Sequence, residues 1–182
     1  MIDKASPAGW VVQVTVLAST TAGVLSGVTT PLGVASDSHA NLYGAVGAVG
    51  TPITRSDAAA LWATGTFWWR VPPTIDVRLE GALPTGASGK DVALVLCAAF
   101  PESVLAAAVE FSGPGVATLS MDDRMAIANM TTEWGAITGW FPADATTSAW
   151  VGVRSRAVGS APASHPSLFP DPGATYAARI TL

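Results

Sequence analysis

Between Lys4 and Asp37 the chain carries no charged residue. A stretch this bare of charge can cross a membrane, act as a secretion signal, or be buried inside a fold. A spanning helix needs about 20 predominantly apolar residues. Here Ser19, Thr20, Thr21, Ser26, Thr29, Thr30 and Pro31 interrupt the run. A signal would use Lys4 as its charged start and Trp10 to Ala18 as a short apolar core. The preferred reading is a buried strand over Trp10 to Leu17 (WVVQVTVL), because β-branched residues pack well there. No membrane partner is expected.

The rest of the chain is also poor in charge: 12% charged and 49% hydrophobic, where soluble domains carry about 25% charged. With seven Trp there is enough apolar surface to bury, which argues against disorder. The net charge of −4 with no Lys/Arg block disfavours nucleic acid as a partner. The single cysteine, Cys97, excludes a disulfide framework and a self-contained multi-cysteine metal site. His39 and His165 leave few ligands for zinc. A length of 182 residues fits one domain or a piece of a larger one.

Local signals divide the chain. Gly33 to Gly50 is rich in Gly and Ala but lacks the spacing of a phosphate loop, so its glycines are read as sites of close backbone approach. Ser56 is read as the cap of a helix from Asp57 to about Thr64, with Gly65 as its stop. Trp62, Phe67, Trp68 and Trp69 form an aromatic group suited to core or interface packing. Thr74 to Leu79 sets Ile75, Val77 and Leu79 against Asp76, Arg78 and Glu80, the pattern of a half-buried strand. After a turn over Gly81 to Gly89, Lys90 to Phe100 reads as an apolar helix stopped by Pro101, with Cys97 a small core residue. Ala106 to Phe111 reads as a strand. Ser120 and Asp123 form a capping box for a helix running through Ile127 toward Trp134. Residues 143–175, rich in Ala, Ser, Thr, Pro and Gly, read as a loop or linker, and Tyr176 to Leu182 begins another element.

Two groups of residues have the chemistry of a site. Asp37, Ser38 and His39 are consecutive, so they diverge and cannot form a nucleophile triad among themselves. They suit either one wall of a pocket or a hydrogen-bonded turn. Asn129 and Glu133 are four residues apart and would share a helix face, lining a pocket or facing solvent. Asn129-Met130-Thr131 also fits a glycosylation sequon, the basis of an alternative reading as a secreted domain.

The stretches ASDSHANLYGAVGAVGTPITRSDAAALWATGTFWW (35–69), RVPPTIDVRLEGALPTGASGKDVALVLCAAF (70–100) and VEFSGPGVATLSMDDRMAIANMTTEWGAITGWFP (109–142), with DPGATYA (171–177), resemble the aconitase superfamily. WATGTFWWRVPP and NMTTEWGA bring the chain nearer to the fungal homoaconitases within it. The resemblance implies an α/β fold, part of a three-layer α/β/α domain. It divides the chain into a divergent segment 1–32, an aconitase-type core fragment 33–142, and a linker with a truncated continuation 143–182. A retained intron would account for the divergent start.

It also implies a hydro-lyase acting on a small tricarboxylic acid. Homocitrate, cis-homoaconitate and homoisocitrate would be interconverted in lysine biosynthesis, in the mitochondrion. A 4Fe–4S cluster would be the Lewis acid. By motif position, Asp37, His39 and Glu133 fall on catalytic residues, Ser38 on a substrate-binding serine, and Asn129 on an asparagine approaching the cluster. The family's three cluster cysteines, its arginine clamps and its swivel-domain serine have no counterpart in this chain, so the remainder of a parent chain would be the partner that supplies them. Alone the chain is expected to be inactive. Alternatives are an aconitase, a 3-isopropylmalate dehydratase, or a non-catalytic truncated relative.

Overall fold

The computed structural model describes residues 11–15, 32–157, 170 and 173–182. Residues 1–10, residues 16–31 of the uncharged run and most of the Pro-rich stretch after residue 157, His165 included, lie outside the described residues.

A four-stranded parallel sheet organises the molecule. Its strands are β5 (Thr74–Arg78), β6 (Ala108–Ser112), β7 (Thr138–Trp140) and β8 (Ala178–Thr181), in the spatial order β7-β6-β5-β8. Two pairs stand apart from it. β1 (Val11–Thr15) runs antiparallel to β4 (Thr66–Arg70), and β2 (Leu32–Ala35) runs parallel to β3 (Val49–Pro52). The expected strand over 10–17 is therefore present over Val11–Thr15.

The parallel register decides what the sheet buries. Ile75 pairs Val109, and Val77 pairs Phe111 and Ile180, so these side chains share one face. Against that face pack α2 (Gly89–Ala99) and α3 (Met121–Met130) through Leu96, Ile127 and Ala128. Phe111 stacks on Phe141 with ring centroids 4.4 Å apart. The opposite face carries a row of Trp140, Glu110, Asp76 and Arg179. Asp76 is only 8% exposed, so β5 is covered on both sides and the half-buried reading of Thr74 to Leu79 needs correction. A central parallel strand has no solvated face. The result is an α/β fold of the expected class.

The helix starts follow from local chemistry. Ser120 caps α3, and Asp123 completes the reciprocal box. Ser88 and Asp91 do the same for α2. For α1 (Arg55–Thr64) the cap is Thr54, not Ser56. Thr54 has Asp57 three residues on, and that carboxylate accepts from the Thr54 N–H at 3.2 Å. Ser56 has Ala59 at that position, which cannot return the bond.

One further expectation fails. Residues 145–157 form a helix, α4 (Ala145–Ala157), where composition points to a loop. Its start is held by Asp144, whose Oδ1 accepts from the Thr147 N–H at 3.0 Å and whose carboxylate takes both terminal nitrogens of Arg124, at 2.9 and 2.7 Å. That partner is 20 residues away, beyond any local signal. The aromatic group divides: Phe67 is buried with Leu32 and Leu61, but Trp62 and Trp68 are 90% and 67% exposed.

The glycine reading is supported. The Gly44 carbonyl accepts from the Phe141 N–H at 3.0 Å, and a Cβ on Gly44 would strike the Gly139 carbonyl. This contact seats the 3-10 helix Ala40–Val46 beside β7.

Candidate functional site

β2 ends at Ala35, and the chain turns through residues 36–39 before the 3-10 helix begins. The turn is made by Asp37. Its Oδ1 accepts from the His39 N–H at 2.8 Å, and its carbonyl accepts from the Ala40 N–H at 3.2 Å. An aspartate bonding the backbone two residues on is a standard way to reverse a chain. The Ser38 hydroxyl lies 3.0 Å from His39 Nδ1. The imidazole is thus fixed at one nitrogen, leaving Nε2 to face another element.

That element is the turn joining α3 to β7. His39 Nε2 lies 3.1 Å from Glu133 Oε1, across 94 residues of sequence. The Thr132 hydroxyl donates to the Ser38 carbonyl at 2.7 Å. Beneath these contacts Asn41 Nδ2 donates to Thr131 Oγ1 at 2.8 Å and to the Ala136 carbonyl at 3.3 Å. The two segments are therefore joined at the surface and again in the interior.

Four of the five site residues read from the sequence, Asp37, Ser38, His39 and Glu133, form one hydrogen-bonded chain. Asn129 does not join it. Its half-buried side chain makes no hydrogen bond among the described residues. The shared-helix-face argument for Asn129 and Glu133 also needs correction. α3 ends at Met130, and Glu133 sits in the turns that follow, its N–H bonded to the Met130 carbonyl at 3.1 Å.

The site is open: the His39 and Glu133 side chains are 41% and 56% exposed. A side-chain contact this exposed contributes only about 0–1 kcal/mol. A carboxylate and an imidazole at hydrogen-bond distance can hold and pass a proton. Cys97, half-buried on α2, lies near enough that the Glu133 charge adds to burial in pushing its thiol up.

A 4Fe–4S cluster needs several thiolates. The chain has one cysteine, Cys97, which packs against the hydrophobic core. No group of three or more His, Cys, Asp or Glu among the described residues could hold a metal. The residues of this chain do not fit a cluster site by themselves.

A second polar cluster escaped the sequence reading. On the far face of the sheet Asp76 accepts from the Ser112 hydroxyl at 2.6 Å and lies 3.4 Å from Arg179, while the Tyr176 hydroxyl donates to Glu110 at 3.1 Å. Burial raises the Glu110 carboxyl above its ordinary range, and burial with the Glu110 charge pushes Tyr176 up to about 12. These residues line a cavity of about 450 Å³. Their alternation with core residues along β5 and β6 was the available signal, but it reads as an ordinary solvent face.

Residues 12–182 match the aconitase family (aconitate hydratase). The match takes in part of the segment 1–32 set apart above as divergent. The chain is similar to "Homoaconitase, mitochondrial" of Mycosarcoma maydis, 48% identical over 175 residues, covering 83% of this chain and 24% of that protein. It is 49% identical to the protein of that name from Eremothecium gossypii over 177 residues, covering 87% of this chain and 25% of the relative. With the one from Debaryomyces hansenii it shares 53% identity over 138 residues, covering 75% and 20%. The chain thus spans about a quarter of the length of the first two relatives. By the extent of the family match, the chain belongs to the aconitase family.

Proposed function

We propose that the chain is a segment of a hydro-lyase that interconverts homocitrate, cis-homoaconitate and homoisocitrate in lysine biosynthesis, in the mitochondrion. The observation that carries the reading is the 3.1 Å contact of His39 with Glu133, set among Asp37 and Ser38, in a chain nearly half identical to proteins named homoaconitase. Residues 33–142 are the aconitase-type core of that segment, and 143–182 continue it.

Dehydration of a hydroxy acid removes a proton from one carbon and a hydroxyl from its neighbour. The hydroxyl leaves as water only if a proton reaches it. Glu133 and His39 are the groups in this chain that would deliver that proton, shared between Oε1 and Nε2. Asp37 orients the imidazole through the turn it builds, and the Ser38 hydroxyl meets the substrate. The Asn129 amide, which makes no hydrogen bond among the described residues, would approach the cofactor, as the family resemblance implies. The 4Fe–4S cluster, whose cysteines this chain lacks, comes with the rest of the parent protein.

The test uses a full-length protein carrying this segment, assayed for hydration of cis-homoaconitate, cis-aconitate and the isopropylmalate-derived unsaturated acid. Fastest turnover of cis-homoaconitate, with Glu133→Gln slowed at least about 10²-fold, is the expected result. Preference for either other acid overturns the substrate, and unchanged turnover in Glu133→Gln overturns the site.

A further inference from the structure

The His39–Glu133 contact is exposed and too weak to hold its own geometry, yet it joins two loops far apart in sequence. Its support lies directly below. Asn41 is two residues after His39, and Thr131 is two residues before Glu133. Both are buried, at 0% and 2% exposure. The Asn41 amide donates to Thr131 Oγ1 at 2.8 Å, and Thr131 Oγ1 in turn donates to the Ala128 carbonyl at 2.7 Å. The second Asn41 bond, to the Ala136 carbonyl, ties down the far end of the same turn.

We propose that Asn41 and Thr131 are positioning residues: their buried hydrogen bond, backed by the Thr132–Ser38 bond, fixes the His39 imidazole against the Glu133 carboxylate. This rests on the reading of His39 and Glu133 as the proton-handling pair.

Three observations favour this over a plain core crosslink. Asn41 Oδ1 is buried with no hydrogen-bond partner among the described residues, a penalty that an apolar side chain of similar size would avoid. Thr131 could be packed as well by valine, but valine could neither accept from Asn41 nor donate to Ala128. The Thr132 hydroxyl reaches the Ser38 carbonyl at 2.7 Å, which pins the turn presenting His39 from a second point. The polar bonds thus specify register between the two turns, and packing alone would not.

Four single variants and one double decide the matter in the full-length protein: Thr131→Val, Thr131→Ser, Thr132→Val, Glu133→Gln, and Thr131→Val combined with Glu133→Gln, each assayed for kcat and KM on cis-homoaconitate. Thr131→Val should lower kcat at least about tenfold with KM within about twofold, since a misplaced catalytic group loses rate more than binding. Thr131→Ser keeps the hydroxyl and should restore most of the rate. Thr131→Val placed on Glu133→Gln should cost nothing further, because the pair it positions is already broken. If Thr131→Val does not fold, the half-buried Thr132→Val decides alone, with the same expected pattern. If the valine variants keep kcat while Glu133→Gln loses it, positioning is refuted and the functional reading stands. Losses that multiply on Glu133→Gln likewise refute it, as a general structural defect. An unaffected Glu133→Gln overturns both.

Discussion

Arg124 is the largest fully buried side chain among the described residues, and the Asp144 carboxylate matches its charge. Both terminal nitrogens bond Asp144, and Nη2 also donates to the Val116 carbonyl at 2.9 Å. Burial of Asp144 opposes ionisation, but the Arg124 guanidinium and the Thr147 N–H outweigh it and hold the carboxyl below its ordinary value of 3.8. A carboxyl depressed in the fold contributes stability that is complete above its unfolded value and is lost as pH falls through the lower folded value. Arg124→Met leaves Asp144 without its cation and removes one of two donors to the Val116 carbonyl, which keeps the Leu119 N–H. The expected loss is about 3 kcal/mol, the low end for a broken buried pair because Asp144 keeps some solvent. Thermal unfolding at neutral pH measures it. Repeating the melts at falling pH should narrow the gap between variant and wild type, starting near the ordinary value of 3.8 and finishing only below the lower folded value, where Asp144 is neutral in both.

Among the elements, α2 and α3 share one carboxylate. Asp123 closes the capping box of α3 with Ser120, and its Oδ1 also accepts from the Gly89 N–H at the start of α2, at 2.7 Å. Asp123→Ala therefore removes support from two helix starts at once. A loss of about 1–2 kcal/mol is expected, read as a lower urea midpoint with an unchanged slope. The α3 cap was legible in Ser120 and Asp123 because it is local. So was the stop of α2, where Pro101 denies the next turn. The bond from Asp123 to Gly89 was not legible, nor was α4. Ala145–Ala157 contains Thr, Ser, Val and Gly, which favour no helix on their own, and it is fixed by Arg124 from another element. Asp76 was misjudged for the same reason: alternation along one strand does not report that β6 and β8 lie on either side of it.

For the whole molecule, Asp37–His39 and Glu133 meet because β2, β3 and β7 all pack on the same 3-10 helix, and Gly44 lets that helix seat against Gly139. The motif DSH and the pair Asn129/Glu133 could be picked out as residue types with useful chemistry. Their meeting across 94 residues could not be derived from spacing, only anticipated from family resemblance. Asn41 and Thr131 were overlooked because a buried amide and a threonine look like ordinary packing until their bond is seen. The account stands on His39 and Glu133 acting as one unit, and a double-mutant cycle tests that most directly. In a full-length protein carrying this segment, kcat for cis-homoaconitate hydration is measured for His39→Ala, Glu133→Gln and the double variant. The prediction is that the double variant is no slower than the slower single variant, as for residues that work together. Losses that multiply across the two positions would contradict it.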